Sequence, residues 1–105
     1  MEIDTELITA STLPIDHKLR SEKKVIEICK EKKAAVYINP IGGVELYQKE
    51  NFKNENIDLH FIKTNDFSYK QFDNTFLPSL SIIDVMMFNG KEEIKKYLAS
   101  FYTLI

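Results

Sequence analysis

Two short segments of this chain carry residue types that can do chemistry. The first is Asn39-Pro40-Ile41-Gly42-Gly43. It follows an apolar run that reads as a strand, and α/β sheets place ligands at the carboxyl ends of their strands. Backbone N–H groups in a glycine turn can hold an anion such as a phosphate. The pattern is neither a P-loop nor a dinucleotide fingerprint, and a simple tight turn using glycine's freedom to take positive φ accounts for the same residues. The second segment pairs an aromatic-rich loop with a lone carboxylate. Tyr69-Lys70-Gln71-Phe72 offers rings, a cation and an amide, a set suited to a sugar face or a phosphate; a loop pinned by aromatic packing is the alternative. Asp84 is the one carboxylate in the apolar run from Ser81 to Phe88. A carboxylate in apolar surroundings needs a partner. Asp84 can act as a general base, orient a neighbouring side chain, or bond back to its own helix start, because Ser81 and Asp84 have capping-box spacing.

The other reactive side chains read as structural. His60 lies on the polar side of an alternating strand and His17 in a charged loop, and neither has a Cys or carboxylate at metal-ligand spacing. Cys29 falls on the apolar stripe of a helix and reads as a small core residue. The lysines at 23–24 and 30–33 alternate with glutamates and read as a solvated helix face.

The elements that must hold these segments follow from periodicity. Residues 7–10 suggest a short strand. Residues 21–33 read as an amphipathic helix with Ser21 as N-cap and Val25, Ile28 and Cys29 as its stripe. Residues 34–39 read as a short buried strand, and residues 44–47 as a helical turn. Ile57, Leu59 and Phe61 alternate with Asp58 and His60, the clearest strand in the chain. Residues 64–74 read as a loop held down by Phe67, Tyr69 and Phe72. Residues 81–88 are apolar nearly all round and read as a buried helix. Asn89 starts the last helix, residues 91–102, whose stripe is Ile94, Tyr97, Leu98 and Phe101.

Composition narrows the function classes. The chain has 105 residues, 44% hydrophobic and 29% charged, the balance of one ordinary globular domain. Fourteen basic and sixteen acidic side chains give a net charge of -2, which argues against a nucleic-acid binder. One cysteine excludes a disulfide within the chain. No apolar stretch is long enough to span a bilayer, and the acidic start lacks the form of a signal peptide. The expected location is cytoplasmic.

From Ser21 onward the chain resembles the WbqC-like family of bacterial proteins. The resemblance is carried by Ser21-Glu22, Tyr37-Ile38-Asn39-Pro40-Ile41-Gly42-Gly43, Glu45-Leu46-Tyr47, Phe52, residues 57–61 and Tyr69-Lys70-Gln71-Phe72. The most specific piece runs from Phe76 to Asn89 through Pro78 and Leu80-Ser81-Ile82-Ile83-Asp84. The resemblance implies an α/β layered core and a place in surface-polysaccharide (O-antigen) biosynthesis. The implied activity is a transferase-like role on a nucleotide-linked or phosphorylated sugar. Gly42, Gly43, Tyr69, Gln71, Ser81 and Asp84 fall on motif positions. Family members typically carry a further first half with a Gln-Pro-x-Tyr-x-Pro segment, which nothing here matches. The chain therefore resembles the carboxyl-terminal half, and the resemblance implies an exposed apolar face that a second copy or a partner would cover.

The expectation is a single α/β domain over residues 1–105, with a small, mostly parallel sheet layered with helices and a two-helix C-terminal segment. The candidate catalytic residue is Asp84. The candidate ligand-binding residues are Gly42, Gly43, Tyr69, Lys70, Gln71 and Ser81. The expected ligand is a nucleotide sugar or a phosphorylated small molecule, with no metal, cofactor, nucleic acid or membrane span. The alternative is a non-catalytic interaction or assembly module, or a fragment lacking its catalytic half, that pairs with itself or with a partner.

Overall fold

The computed structural model describes residues 3–72 and 75–105. Asp73 and Asn74 of the expected loop, and Met1 and Glu2 of the acidic start, lie outside the described residues. The elements run α1 (Ser21–Glu31), β1 (Val36–Pro40), α2 (Lys49–Lys53), β2 (Asp58–Thr64), α3 (Ile82–Phe88), α4 (Lys91–Ser100) and β3 (Tyr102–Leu104), with short 3-10 turns at Ala10–Thr12 and Ile41–Gly43. The strands form one sheet in the order β1-β2-β3. β1 and β2 are parallel, with Tyr37 opposite Leu59 and Asn39 opposite Phe61. On the other edge of β2, Phe61 and Ile105 exchange both backbone bonds, at 3.1 and 2.9 Å, the signature of an antiparallel pair. The expected α/β class is found, with a mixed sheet. The antiparallel pairing comes from β3, where the helical stripe was expected to continue to Tyr102. Instead α4 stops at Ser100, and Tyr102-Thr103-Leu104, good strand formers, join β2.

The chain forms two compact units. One comprises Thr5–Lys63 with Leu104–Ile105. Its core is Cys29, Phe52, Ile57, Leu59 and Phe61, with Val25, Tyr37 and Tyr47 packed against it. The alternation read in β2 therefore places its apolar side as expected. The ring of Tyr37 stacks on Phe52 at 5.6 Å and nearly parallel, and Tyr47 meets Phe52 edge-on at 6.1 Å. Glu22 ties α1 to the start of α2: its two carboxylate oxygens accept from the Gln48 N–H at 2.7 Å and from Asn51 Nδ2 at 2.6 Å. That satisfies one of the donors that a helix start leaves unpaired.

Several local expectations change here. Ser21 is the first helical residue, with φ of 51°, and Arg20 holds the N-cap position without a side-chain bond. Ser21 has no cap role because its own backbone is already turned into the left-handed region. Residues 7–10 form no strand; the chain there enters the 3-10 turn, and Leu7 is 92% exposed. β1 is not buried. As an edge strand it turns Tyr37 and Asn39 inward and leaves Val36 and Ile38 about half exposed.

The other unit comprises Thr64–Thr103 with the first residues of the chain. Here α3 contacts α4, whose Ile94 is buried. Asn89 links the two: its Nδ2 donates to the Val85 carbonyl at 2.8 Å and its Oδ1 accepts from the Tyr97 hydroxyl at 3.3 Å. The N-cap of α4 is Gly90, not Asn89, because the Asn89 side chain is engaged backward in this link. Phe67 anchors the loop against α4, with ring centroids 4.8 Å from Tyr97 and 5.7 Å from Phe101. α3 departs from expectation, since none of its residues is buried.

The glycine turn after β1 makes the first test. No glycine has positive φ, so the reason for glycine is space. A Cβ on Gly43 would lie 2.0 Å from Asn39 Nδ2 and 3.2 Å from Tyr47, whereas one on Gly42 meets nothing within 4 Å. The Asn39 amide cannot swing away freely, because it donates to the Pro40 carbonyl and accepts from the Tyr37 hydroxyl, each at 3.0 Å. Gly43→Ala should destabilise the fold by about 1–3 kcal/mol through overpacking. Gly42→Ala should stay within about 0.5 kcal/mol of the parent. Urea denaturation of both variants checks this, and equal effects would refute the packing role.

Candidate functional site

The site grows from the first turn of α3. Ser81 is extended, with φ -155° and ψ 157°, and its Oγ accepts from the Ile83 N–H at 3.1 Å. This is the N-cap arrangement that the sequence spacing implies. Asp84, three residues on, has side-chain partners in the preceding loop. Its Oδ2 accepts from the Tyr69 hydroxyl and from Gln71 Nε2, the latter at 2.9 Å. Both donors converge on one oxygen. Gln71 is held in turn by the backbone of Leu77: Nε2 donates to the Leu77 carbonyl at 3.2 Å, and Oε1 accepts from the Leu77 N–H at 3.0 Å. One amide side chain thus joins the backbone of Leu77 to the carboxylate of α3.

Tyr69 connects this cluster to open space. Its ring meets Phe76 edge-on at 5.1 Å and forms part of the wall of a cavity of about 340 Å³. Phe67, Phe76 and Pro78 add to the apolar wall, and Asn65, Asp66, Ser79 and Ser81 supply polar groups. Asp84 is not among the residues lining the cavity. Its place is behind Tyr69, so its effect on a ligand passes through the phenol that it holds. The hydrogen bond to the Asp84 carboxylate is the first cause of a Tyr69 pKa raised above the ordinary tyrosine value. Deprotonation would set a phenolate against a carboxylate. At neutral pH Tyr69 is a firmly protonated donor, fixed in direction.

Of the residues singled out by sequence, the structure brings Tyr69, Gln71, Ser81 and Asp84 together in one unit. Lys70 lies between two of them in the chain, with its side chain exposed. Gly42 and Gly43 belong to the other unit, in a turn whose hydrogen bonds are local: the Gly43 carbonyl accepts from the N–H groups of Leu46 and Tyr47 at 2.9 and 3.2 Å. Cys29 is a core residue whose burial pushes its thiol pKa up, the opposite of an activated nucleophile. His17 Nε2 lies 2.9 Å from the Leu13 carbonyl. Among the described residues no group of three or more His, Cys, Asp or Glu side chains is placed to hold a metal ion, and no helix is long and apolar enough to cross a membrane.

Sequence reading missed Asn65, Asp66, Phe76 and Ser79 as cavity residues. Ser79 carried a signal that only the backbone reveals. Its φ is 57°, a conformation uncommon for residues other than glycine and often found at functional sites.

The model of the WbqC-like protein family matches residues 1–96. The match extends over Tyr69, Gln71, Ser81 and Asp84, and reaches nearer the amino terminus than the motifs from Ser21 onward. No curated protein and no solved structure matches the chain.

The Tyr69–Asp84 bond has a pH signature. An unfolded tyrosine loses its proton near pH 10, whereas folded Tyr69 holds it to higher pH. The stability tied to this bond is therefore fully present below pH ~10 and is lost as pH rises through the folded value. The parent should lose stability above pH ~10 more steeply than Tyr69→Phe. Asp84→Asn should move the Tyr69 titration down, read as the phenolate absorbance missing from a Tyr69→Phe background. An unmoved titration would show that Asp84 does not position the phenol.

Proposed function

The chain belongs to the WbqC-like protein family, and from that premise we propose that it takes part in surface-polysaccharide (O-antigen) biosynthesis, with a transferase-like role on a nucleotide-linked or phosphorylated sugar. The observation that carries this reading is the Tyr69–Gln71–Asp84 cluster beside a cavity of about 340 Å³. Its volume is that of a small ligand pocket. Its wall combines rings with hydroxyl, amide and carboxylate groups, as sugar recognition requires. Tyr69 and Ser81 line the pocket, Gln71 shares the Asp84 carboxylate with Tyr69, Lys70 follows Tyr69 in the chain, and Asp84 is the positioning residue that aims Tyr69. Gly43 keeps the turn after β1 compact in this reading.

A second reading has its own observation. Ile83 is 68% and Met87 76% exposed on α3, with Ile82 and Met86 also exposed. An apolar helix face of this kind suits a non-catalytic interaction module, or a self-associating one. A homodimer seen by analytical ultracentrifugation and abolished by Met87→Lys would favour it.

A thermal-shift screen of nucleotide sugars, nucleotides and inorganic phosphate separates the readings. A ligand at about a hundred times its Kd adds roughly 2.7 kcal/mol to the native state and raises Tm by several degrees. The proposal expects such a shift with a nucleotide sugar, and a tenfold or greater loss of affinity in Tyr69→Phe. No shift with any nucleotide sugar, from a chain that melts cooperatively, refutes the transferase-like reading and leaves the interaction module.

A further inference from the structure

The charge and size of the cavity say which part of such a ligand it can accept. We propose that the cavity walled by Phe67, Tyr69 and Phe76 takes the uncharged, hydroxyl-bearing ring of a sugar and leaves any phosphate outside; this rests on the sugar-ligand reading above and goes beyond it by assigning the moiety. Three observations lead here. First, among the described residues lining the cavity the one charged side chain is Asp66, and none is Lys or Arg. A phosphate enclosed beside a carboxylate, with no cation on the wall, is repelled, whereas a sugar hydroxyl donates to a carboxylate readily. Second, ligand pockets span roughly 300–1,000 Å³, and about 340 Å³ is at the low end. It holds one ring, not a whole nucleotide sugar. Third, the polar wall is complementary to a polyol. The Ser81 Oγ already accepts from the Ile83 N–H, so its hydrogen is left to donate. Asp66 accepts, and the ring faces offer the flat apolar contact that the C–H side of a pyranose fits. The firmly protonated Tyr69 adds a wall that stays neutral at physiological pH.

The whole chain, isotopically labelled, can be titrated by NMR with methyl glucoside, methyl galactoside and methyl N-acetylglucosaminide as uncharged probes, and with inorganic phosphate and uridine monophosphate as charged ones. The proposal expects saturable shifts of the Asn65, Asp66, Ser79 and Ser81 amides with at least one glycoside and none with phosphate. Asp66→Asn, an exposed substitution, should weaken that glycoside at least tenfold with Tm unchanged. The inference is overturned if no glycoside shifts these amides, if phosphate or the nucleotide shifts them instead, or if Asp66→Asn leaves the glycoside affinity intact. A nucleotide sugar that binds elsewhere while glycosides fail removes this inference and leaves the broader function standing. Glycoside binding here with no nucleotide-sugar binding does the reverse.

Discussion

β2 hydrogen-bonds to β1 along one edge and, through Phe61 and Ile105, to β3 along the other, while Leu59 and Phe61 enter the core around Phe52. A chain that buries so few large side chains depends on each of them. Among the described residues Phe52, Phe61 and Ile57 are the largest fully buried groups, and two of the three are in or next to β2. Burial of a Phe or Ile side chain contributes about 1.5–3 kcal/mol, so loss of this register would remove much of the net stability of a small domain. Register in such a strand is all-or-none, because a slip by one residue would turn Asp58, His60 and Ile62 inward in place of Leu59 and Phe61. The residues that give the site its character come later in the sequence.

Those later residues show how a helix start can be put to a second use. A capping box satisfies helix donors with the side chain at N-cap and the acid at N3. Here only the first half operates: Ser81 accepts from Ile83, and Asp84 is engaged by Tyr69 and Gln71. A carboxylate that had bonded back to its own helix would do nothing for the loop. By reaching the loop it fixes a tyrosine ring and an amide clamp together. The raised pKa of Tyr69 follows directly from that choice, so the electrostatics of the cavity wall derive from a residue that does not line it.

The sequence made some of this legible, and the reasons are specific. Strict alternation from Ile57 to Phe61 has one physical reading, and β2 obeys it. Ser81 as N-cap was legible because extended Ser before an apolar run has few other uses. Tyr69, Gln71 and Asp84 were each visible as candidates and the aromatic loop was paired with Asp84, but the hydrogen bonds that join them were not legible, because a bond across thirteen or fifteen residues leaves no periodic trace. Gly43 was visible as a breaker, while its true constraint, the Asn39 amide within 2.0 Å of a would-be Cβ, is a packing fact. Ser21 looked like a cap until its own φ excluded it. β3 hid in the last residues because Tyr102, Leu104 and Ile105, straight after a helical stripe, fit either pattern.

The exposed face of α3 follows from the same hydrogen bonds that build the site. An apolar run with one acid reads as a buried helix when composition alone is weighed. Position on the helix decides otherwise. Successive residues advance about 100° around the axis, so Phe88 and Val85 flank Asp84 on one side, Met87 and Ile83 flank it on the other, and Ile82 and Met86 lie nearly opposite. The half-buried residues are Asp84, Val85 and Phe88, and the exposed ones are Ile82, Ile83, Met86 and Met87. Two hydrogen bonds to one carboxylate thus help select which face of α3 turns inward, with Val85 and Phe88 beside Asp84 and Ile82, Ile83, Met86 and Met87 left outside. Leaving one buried carboxylate unpaired costs more than leaving a few methylenes in water, and partly exposed aliphatic side chains are ordinary on protein surfaces. The helix is oriented by its single polar group, against the weight of its composition.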